Sequence, residues 1–191
     1  HKLKIKHYKV GDIGLTKSFN IGLAKSKNEN ILITQPDVCF NKNSIVNLLK
    51  AQKKYPNAGI ISPLIFEKKK YSQFDHLDLS LSTLGNLKST KRPKKISILP
   101  SGDTCVEAVP ATAMLIKKSI IKKINGWDEN FYTYLEDIDL CLRLRKKRYS
   151  IMKIKESIVH HVGFGSNKKK YQEMREIFTM RSLSLIKFMT V

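Results

Sequence analysis

Two short apolar runs, each closed by a proline, constrain this chain more than any other feature. Residues 30–35, Asn-Ile-Leu-Ile-Thr-Gln, stop at Pro36, and residues 58–62, Ala-Gly-Ile-Ile-Ser, stop at Pro63. Runs of this length and branching read as strands buried on both faces, and proline ends them because it brings no N–H to a ladder. Between them, residues 43–54 place Ile45, Leu48 and Leu49 at helical spacing, with Asn43 or Ser44 available as N-cap. Strand, helix, strand in this order predicts a βαβ unit with a parallel pair, and hence an α/β protein.

The rest of the pattern is compatible with that class. Residues 3–10 alternate Leu3, Ile5 and His7 with lysines, as a short polar strand would, and Gly11, Asp12 and Gly14 make a turn. Leu15, Phe19 and Leu23 then share one helical face. Residues 67–104 mix charge runs with Gly85, Pro93, Pro100 and Gly102, and read as a long excursion over the surface. Order returns at 105–117. A short helix at 120–124 follows, with Ser119 as its cap and Asn125-Gly126 closing it. A second helix at 136–147 opens on Glu136, Asp137 and Asp139 and ends on Arg145, Lys146 and Lys147, which suits the helix dipole. A strand is expected at 149–155, a glycine loop at Gly163 and Gly165, and a basic amphipathic helix over 168–190.

Composition narrows the function classes less sharply. The 191 residues are 41% hydrophobic and 27% charged, which excludes a disordered chain and permits one core. The formal net charge of +20 favours polyanionic partners, but Lys accompanied by abundant Asn and Ile also fits coding bias with solvated lysines. Cys39, Cys105 and Cys141 show no CxxC spacing, so they read as reduced thiols in a cytosolic compartment. No apolar run reaches the ~18–20 residues of a membrane span.

Three positions carry chemistry-capable side chains at element boundaries. Asp37 follows the first apolar run, where open α/β sheets bind ligands, and one or two carboxylates suffice for a magnesium or manganese site that also holds phosphates. Its plain alternative is an Asx turn. Glu136-Asp137 opens a helix directly after the aromatic stretch that begins Trp127-Asp128, an arrangement that can set carboxylates at the floor of a sugar pocket. The alternative is an ordinary acidic helix start. His160-His161 precedes a glycine loop and can supply a nitrogen ligand, or be a surface histidine.

Taken together, the order QPD, then about a hundred residues, then GWDENFYTYLEDIDLCLR, then HHVGFGS resembles glycosyltransferase family 2, of the rhamnosyltransferase-like kind that builds bacterial cell-surface polysaccharide. Residues 11–38 resemble the family's Asn-x-Gly segment, strand and acidic metal motif. Residues 109–118, VPATAMLIKK, resemble the segment lining the donor sugar, and 178–182, FTMRS, the start of its C-terminal helix, with Ser182 where Asn is usual. The resemblance implies a GT-A (Rossmann-like) fold, a mixed sheet flanked by helices. Nothing before residue 11 matches the family's first strand-helix unit, so the expectation is an N-terminally truncated domain over 1–166 followed by the basic helix of 167–191.

By the same resemblance, Asp37 and His161 would bind Mn2+ or Mg2+, Asp137 would be the catalytic base, and Glu136 its acidic neighbour. Gln35, Ala111, Thr112, Trp127 and Asp128 would line the donor and acceptor. Gln35 stands where the family often has Asp or Asn, so the ion would rely more on Asp37 and the phosphates. The implied reaction is inverting transfer from a UDP- or dTDP-sugar to a hydroxyl on a glycan or lipid-linked acceptor. The expected location is the cytoplasm or the cytoplasmic face of a membrane, with helix 168–190 as a peripheral contact. Two other readings compete: a catalytically silent sugar-binding scaffold of the same ancestry, and a basic nucleic-acid-binding module. The aromatic residues cluster beside acids at 127–134, which argues against nucleic acid as a partner.

Overall fold

A computed structural model describes residues 5–67, 70–71, 99–133 and 135–162. The expected C-terminal helix, the Gly163–Gly165 loop, the 178–182 segment and most of 67–104 lie outside the described residues. In chain order the elements are α1 (Leu15–Lys25), β1 (Asn30–Thr34), β2 (Val38–Phe40), α2 (Ser44–Lys54), β3 (Ala58–Glu67), β4 (Lys70–Tyr71), β5 (Thr104–Val106), β6 (Ala113–Lys117), α3 (Lys118–Lys122), α4 (Glu136–Lys146) and β7 (Ser150–His161).

The strands form one mixed sheet in the order β1-β6-β3-β7-β2, with β4 on β3 and β5 on β7. The two proline-closed runs do not pair with each other. β6 lies between β1 and β3 and is antiparallel to both, so these two run in the same direction without touching as a ladder. The crossover through α2 is real, but Met114, Leu115 and Ile116 of β6 take the central place. β1 is consequently a half-buried edge of the described sheet. The parallel partner of β3 is β7.

Proline does not stop β3 at residue 62 either. The strand continues through Pro63 to Glu67, and the β3–β7 register shifts between Pro63 and Leu64. A register shift of this kind absorbs the missing N–H. β7 is longer than expected and ends on His161, so both histidines belong to a strand. Residues 5–10 form no regular element; Ile5 and Tyr8 are exposed and have no core face to bury.

The core fills both faces of the sheet. On one side Ile60, Met114, Ile116 and Ile151 meet Ile120, Ile121, Trp127, Leu140 and Leu144 from the α3–α4 region, with Phe19 and Leu23 of α1 packed against them. On the other, Leu48 and Ala51 of α2 cover Ile61, Leu115, Met152 and Ile154. Full burial of each such aliphatic side chain stabilises by roughly 1.5–3 kcal/mol.

The expected caps are used differently. Asn43 makes no side-chain cap, and the Ser44 hydroxyl donates instead to the Ile158 carbonyl at 2.5 Å, pinning α2 to β7. α3 starts at Lys118, and the Ser119 hydroxyl bonds Glu29. Cys39, Cys105 and Cys141 are all free thiols. Among the described residues no helix is long and apolar enough to cross a membrane.

Candidate active site

The chain entering α4 is held by α1. Asn20 donates through Nδ2 to the Trp127 carbonyl and to Glu129, both at 2.9 Å, while its Oδ1 accepts the Trp127 amide at 3.0 Å. The contact is close enough to require glycine beside it: a Cβ on Gly126, at φ 73, would meet Asn20 Oδ1 at 2.6 Å. Further along, Thr16 donates to the Phe131 carbonyl at 2.5 Å, the Leu15 amide to the Tyr132 carbonyl at 2.7 Å, and the Tyr132 hydroxyl bonds Asp12. The Asp12–Asn20 segment and the Trp127–Tyr132 stretch are thus two halves of one clasp.

Trp127 is a core residue in this arrangement, 2% exposed and stacked at a tilt on Phe19 with ring centres 5.0 Å apart. Asp128 makes an Asx turn, accepting the amide and the side-chain nitrogen of Asn130 at 2.9 and 2.8 Å. Leu135 then adopts a left-handed conformation, φ 67, immediately before α4. That conformation costs a non-glycine residue roughly 1–2 kcal/mol and is typical of the backbone beside functional groups.

Glu136 and Asp137 occupy the first turn of α4 in different surroundings. Asp137 accepts the Ile138 amide at 2.8 Å through Oδ1 and the Ala111 amide at 3.3 Å through Oδ2. Burial raises its pKa, and these backbone donors oppose the rise. Glu136 is 5% exposed, and its Oε2 has no hydrogen-bond partner among the described residues. Burial first, and the charge of Asp137 second, push its carboxyl up to about 8. Adjacent carboxylates in one dry site do not both ionise readily. Burial thus raises both carboxyls, and the two backbone donors on Asp137 favour its charged form, whereas Glu136 Oε2 has no such donor among the described residues.

Ala111 links this pair to the sheet edge. The next residue, Thr112, accepts at its carbonyl from the Gln35 amide at 3.3 Å and from the Thr34 hydroxyl at 3.1 Å. Two residues beyond Gln35, Asp37 turns into β2, and its carbonyl accepts the Val162 amide at 3.0 Å. Asp37 Oδ2 then lies 3.2 Å from His161 Nε2, because Val38 of β2 registers against His161 of β7. His160 is exposed and turns its ring to Phe66 instead. Contacts and short chain segments thus run without a break from Asp137 through Ala111, Thr112 and Gln35 to Asp37 and His161. Trp127 stays apart from that run, in the core.

Among the described residues no three His, Cys, Asp or Glu side chains converge as a metal cage. The Asp37–His161 pair nevertheless fits a divalent ion that also holds phosphates. Ligands at right angles with bonds of about 2.1 Å stand roughly 3 Å apart, and the observed separation is 3.2 Å. One oxygen and one nitrogen ligand leave most of the coordination shell for phosphate oxygens and water. The pattern of single residues did not reveal Glu67, whose Oε1 lies 3.2 Å from the other ring nitrogen of His161.

Against known structures, the chain matches a crystal structure of GalNAc-T7 with UDP, GalNAc and Mn2+ at a TM-score of 0.57 and 12% identity, over 78% of this chain and 30% of the other. The fold is GT-A. No protein-family model matches the sequence. The GT-A chain is 27% identical over 161 residues to the rhamnosyltransferase WbbL of Escherichia coli K12, covering 75% of this chain and 59% of that protein. It is 24% identical over 143 residues to the N-acetylglucosaminyl-diphospho-decaprenol L-rhamnosyltransferase of Mycobacterium tuberculosis, covering 69% and 46%. The low-salt glycan biosynthesis hexosyltransferase Agl10 of Haloferax volcanii is 24% identical over 180 residues, covering 88% and 57%. Its curated relatives are therefore rhamnosyltransferases and a hexosyltransferase, and the GT-A chain spans about half of their length.

Proposed function

We propose that the protein containing this chain is an inverting glycosyltransferase that moves a hexose or a deoxyhexose such as rhamnose from a nucleoside diphosphate-sugar to a hydroxyl during glycan synthesis. The observation that carries the reading is a pair of adjacent buried carboxyls at the start of α4, in which Asp137 accepts two backbone amides and Glu136 Oε2 has no partner among the described residues. A sugar hydroxyl is a poor nucleophile until a positioned base takes its proton. Asp137 accepts that proton as the acceptor oxygen bonds the anomeric carbon. The bond from that carbon to the diphosphate breaks on the opposite face, so configuration inverts through an oxocarbenium-like transition state, as in inverting glycoside hydrolysis.

Asp37 and His161 would hold Mn2+ or Mg2+, and the ion would supply charge neutralisation at the leaving diphosphate. Gln35, Ala111 and Thr112, which link Asp137 to Asp37 through short hydrogen-bonded segments, would shape the donor site. The mycobacterial relative's name specifies a diphospho-decaprenol-linked acceptor; a lipid-linked or glycan acceptor is the corresponding proposal here. The raised pKa of both Asp137 and Glu136 favours this reading over a silent scaffold, because burying two adjacent carboxyls is costly without a use.

A panel of UDP- and dTDP-sugars, with Mn2+ or Mg2+ and then with chelator, tests the reading by nucleoside diphosphate release from the full-length protein. Chelator-sensitive release with one donor is expected. A folded protein that releases nucleotide from no donor, with glycan and lipid-linked acceptors both supplied, contradicts it.

A further inference from the structure

We propose that Glu67 is a positioning residue for His161, an inference that rests on the metal reading of Asp37 and His161. Three neighbouring strands bring the three side chains together. His161, the last residue of β7, registers with Glu67 of β3 on one side and with Val38 of β2 on the other. Its ring consequently lies between two carboxylates, with Nδ1 3.2 Å from Glu67 Oε1 and Nε2 3.2 Å from Asp37 Oδ2.

The two nitrogens of an imidazole face away from each other, so an ion shared by Nε2 and Asp37 lies on the far side of the ring from Glu67. Glu67 has a different task. A carboxylate that accepts the Nδ1 proton fixes the tautomer, leaves the Nε2 lone pair free on the Asp37 side, and makes that nitrogen a stronger ligand. It also fixes ring rotation, which one strand-end histidine cannot do alone. The His161 side chain is only 17% exposed, so the ring has little room to turn elsewhere. The β3–β7 ladder that carries Glu67 past Pro63 is what delivers its carboxylate to this point.

Mn2+ binding in the presence of UDP, followed by electron paramagnetic resonance on the full-length protein, tests the role without turnover. Glu67→Ala should weaken Mn2+ binding by about 10–100-fold, the range for losing such a partner, while thermal stability changes little. Glu67→Gln, whose amide oxygen still accepts the proton without the charge, should lose less. His161→Ala should lose at least as much as Glu67→Ala. Nitrogen-15 spectra of His161 should show the Nδ1–H form in the wild type and more of the Nε2–H form in Glu67→Ala. Should Glu67→Ala not fold, Glu67→Gln carries the same comparison. Wild-type affinity in both Glu67 variants alongside loss in His161→Ala overturns the proposal. A wild-type protein that binds no Mn2+ also overturns it, through the metal reading. Glycosyl transfer is judged separately, by nucleotide release.

Discussion

Arg143 reaches back one turn along α4 to Asp139, 2.6 Å away, and the same guanidinium donates to the carbonyls of Ile124 and Gly126 at 2.8 and 2.7 Å. One side chain thus ties α4 to the turn that leads into the Asn20 clasp. Asp139 is 4% exposed; burial raises its pKa and Arg143 pulls against that rise. Removing the guanidinium leaves a buried carboxylate and two carbonyls without this donor. Arg143→Ala should cost about 3–5 kcal/mol, the usual penalty for breaking one side of a buried pair. Urea unfolding reads the loss directly, and a change below about 1 kcal/mol, the scale of an exposed pair, would show that the clasp does not hold the helix.

Glu136 makes stability fall as pH rises. Its folded pKa, about 8, lies above the ordinary value of 4.5, so the folded state binds more protons than the unfolded chain between those values. Stability then declines on going up from about pH 4.5 through pH 8, because the slope follows protons bound in the unfolded minus the folded state. Glu136→Gln removes this burden. The variant should be more stable than wild type at pH 8, by a few kcal/mol at most, with the advantage shrinking towards pH 5. Melting temperatures across that range check it, and an advantage that grows towards low pH would contradict the assignment.

The three thiols should divide by exposure. Cys39 and Cys105 are exposed, whereas Cys141 is fully buried and burial pushes its pKa up to about 12. A thiol of that kind is inert while the fold stands. Alkylation of the native protein should label Cys39 and Cys105 within minutes and Cys141 only in denaturant, as peptide mass mapping would show. Rapid native labelling of Cys141 would mean that α4 opens away from the sheet.

Much of this site could be read before the fold was known, because its residues sit where elements begin and end. Asp37 follows a strand, Asp137 opens a helix, and Gln35 and Thr112 lie at facing strand ends. Lateral order was not legible. Apolar runs report burial, but nothing in Ile31–Ile33 or Ile60–Ile61 says that β6 will sit between them. Glu67 was hidden for a related reason. Its pairing with His161 depends on β3 continuing through Pro63, and a local rule ends the strand there. Trp127 shows the converse: its aromatic, acid-flanked sequence suggests a sugar platform, while long-range packing on Phe19 places it in the core.

If Asp137 takes the acceptor's proton, Asp137→Asn removes that base and little else. Asparagine keeps the size and can still accept the Ala111 amide, but it cannot act as a base. The variant should fold, bind the nucleoside diphosphate with near wild-type affinity, and lose turnover by about 10²–10⁴-fold, the usual share of a positioned base. A variant that binds the nucleotide and transfers sugar at a rate within a few-fold of wild type would contradict it.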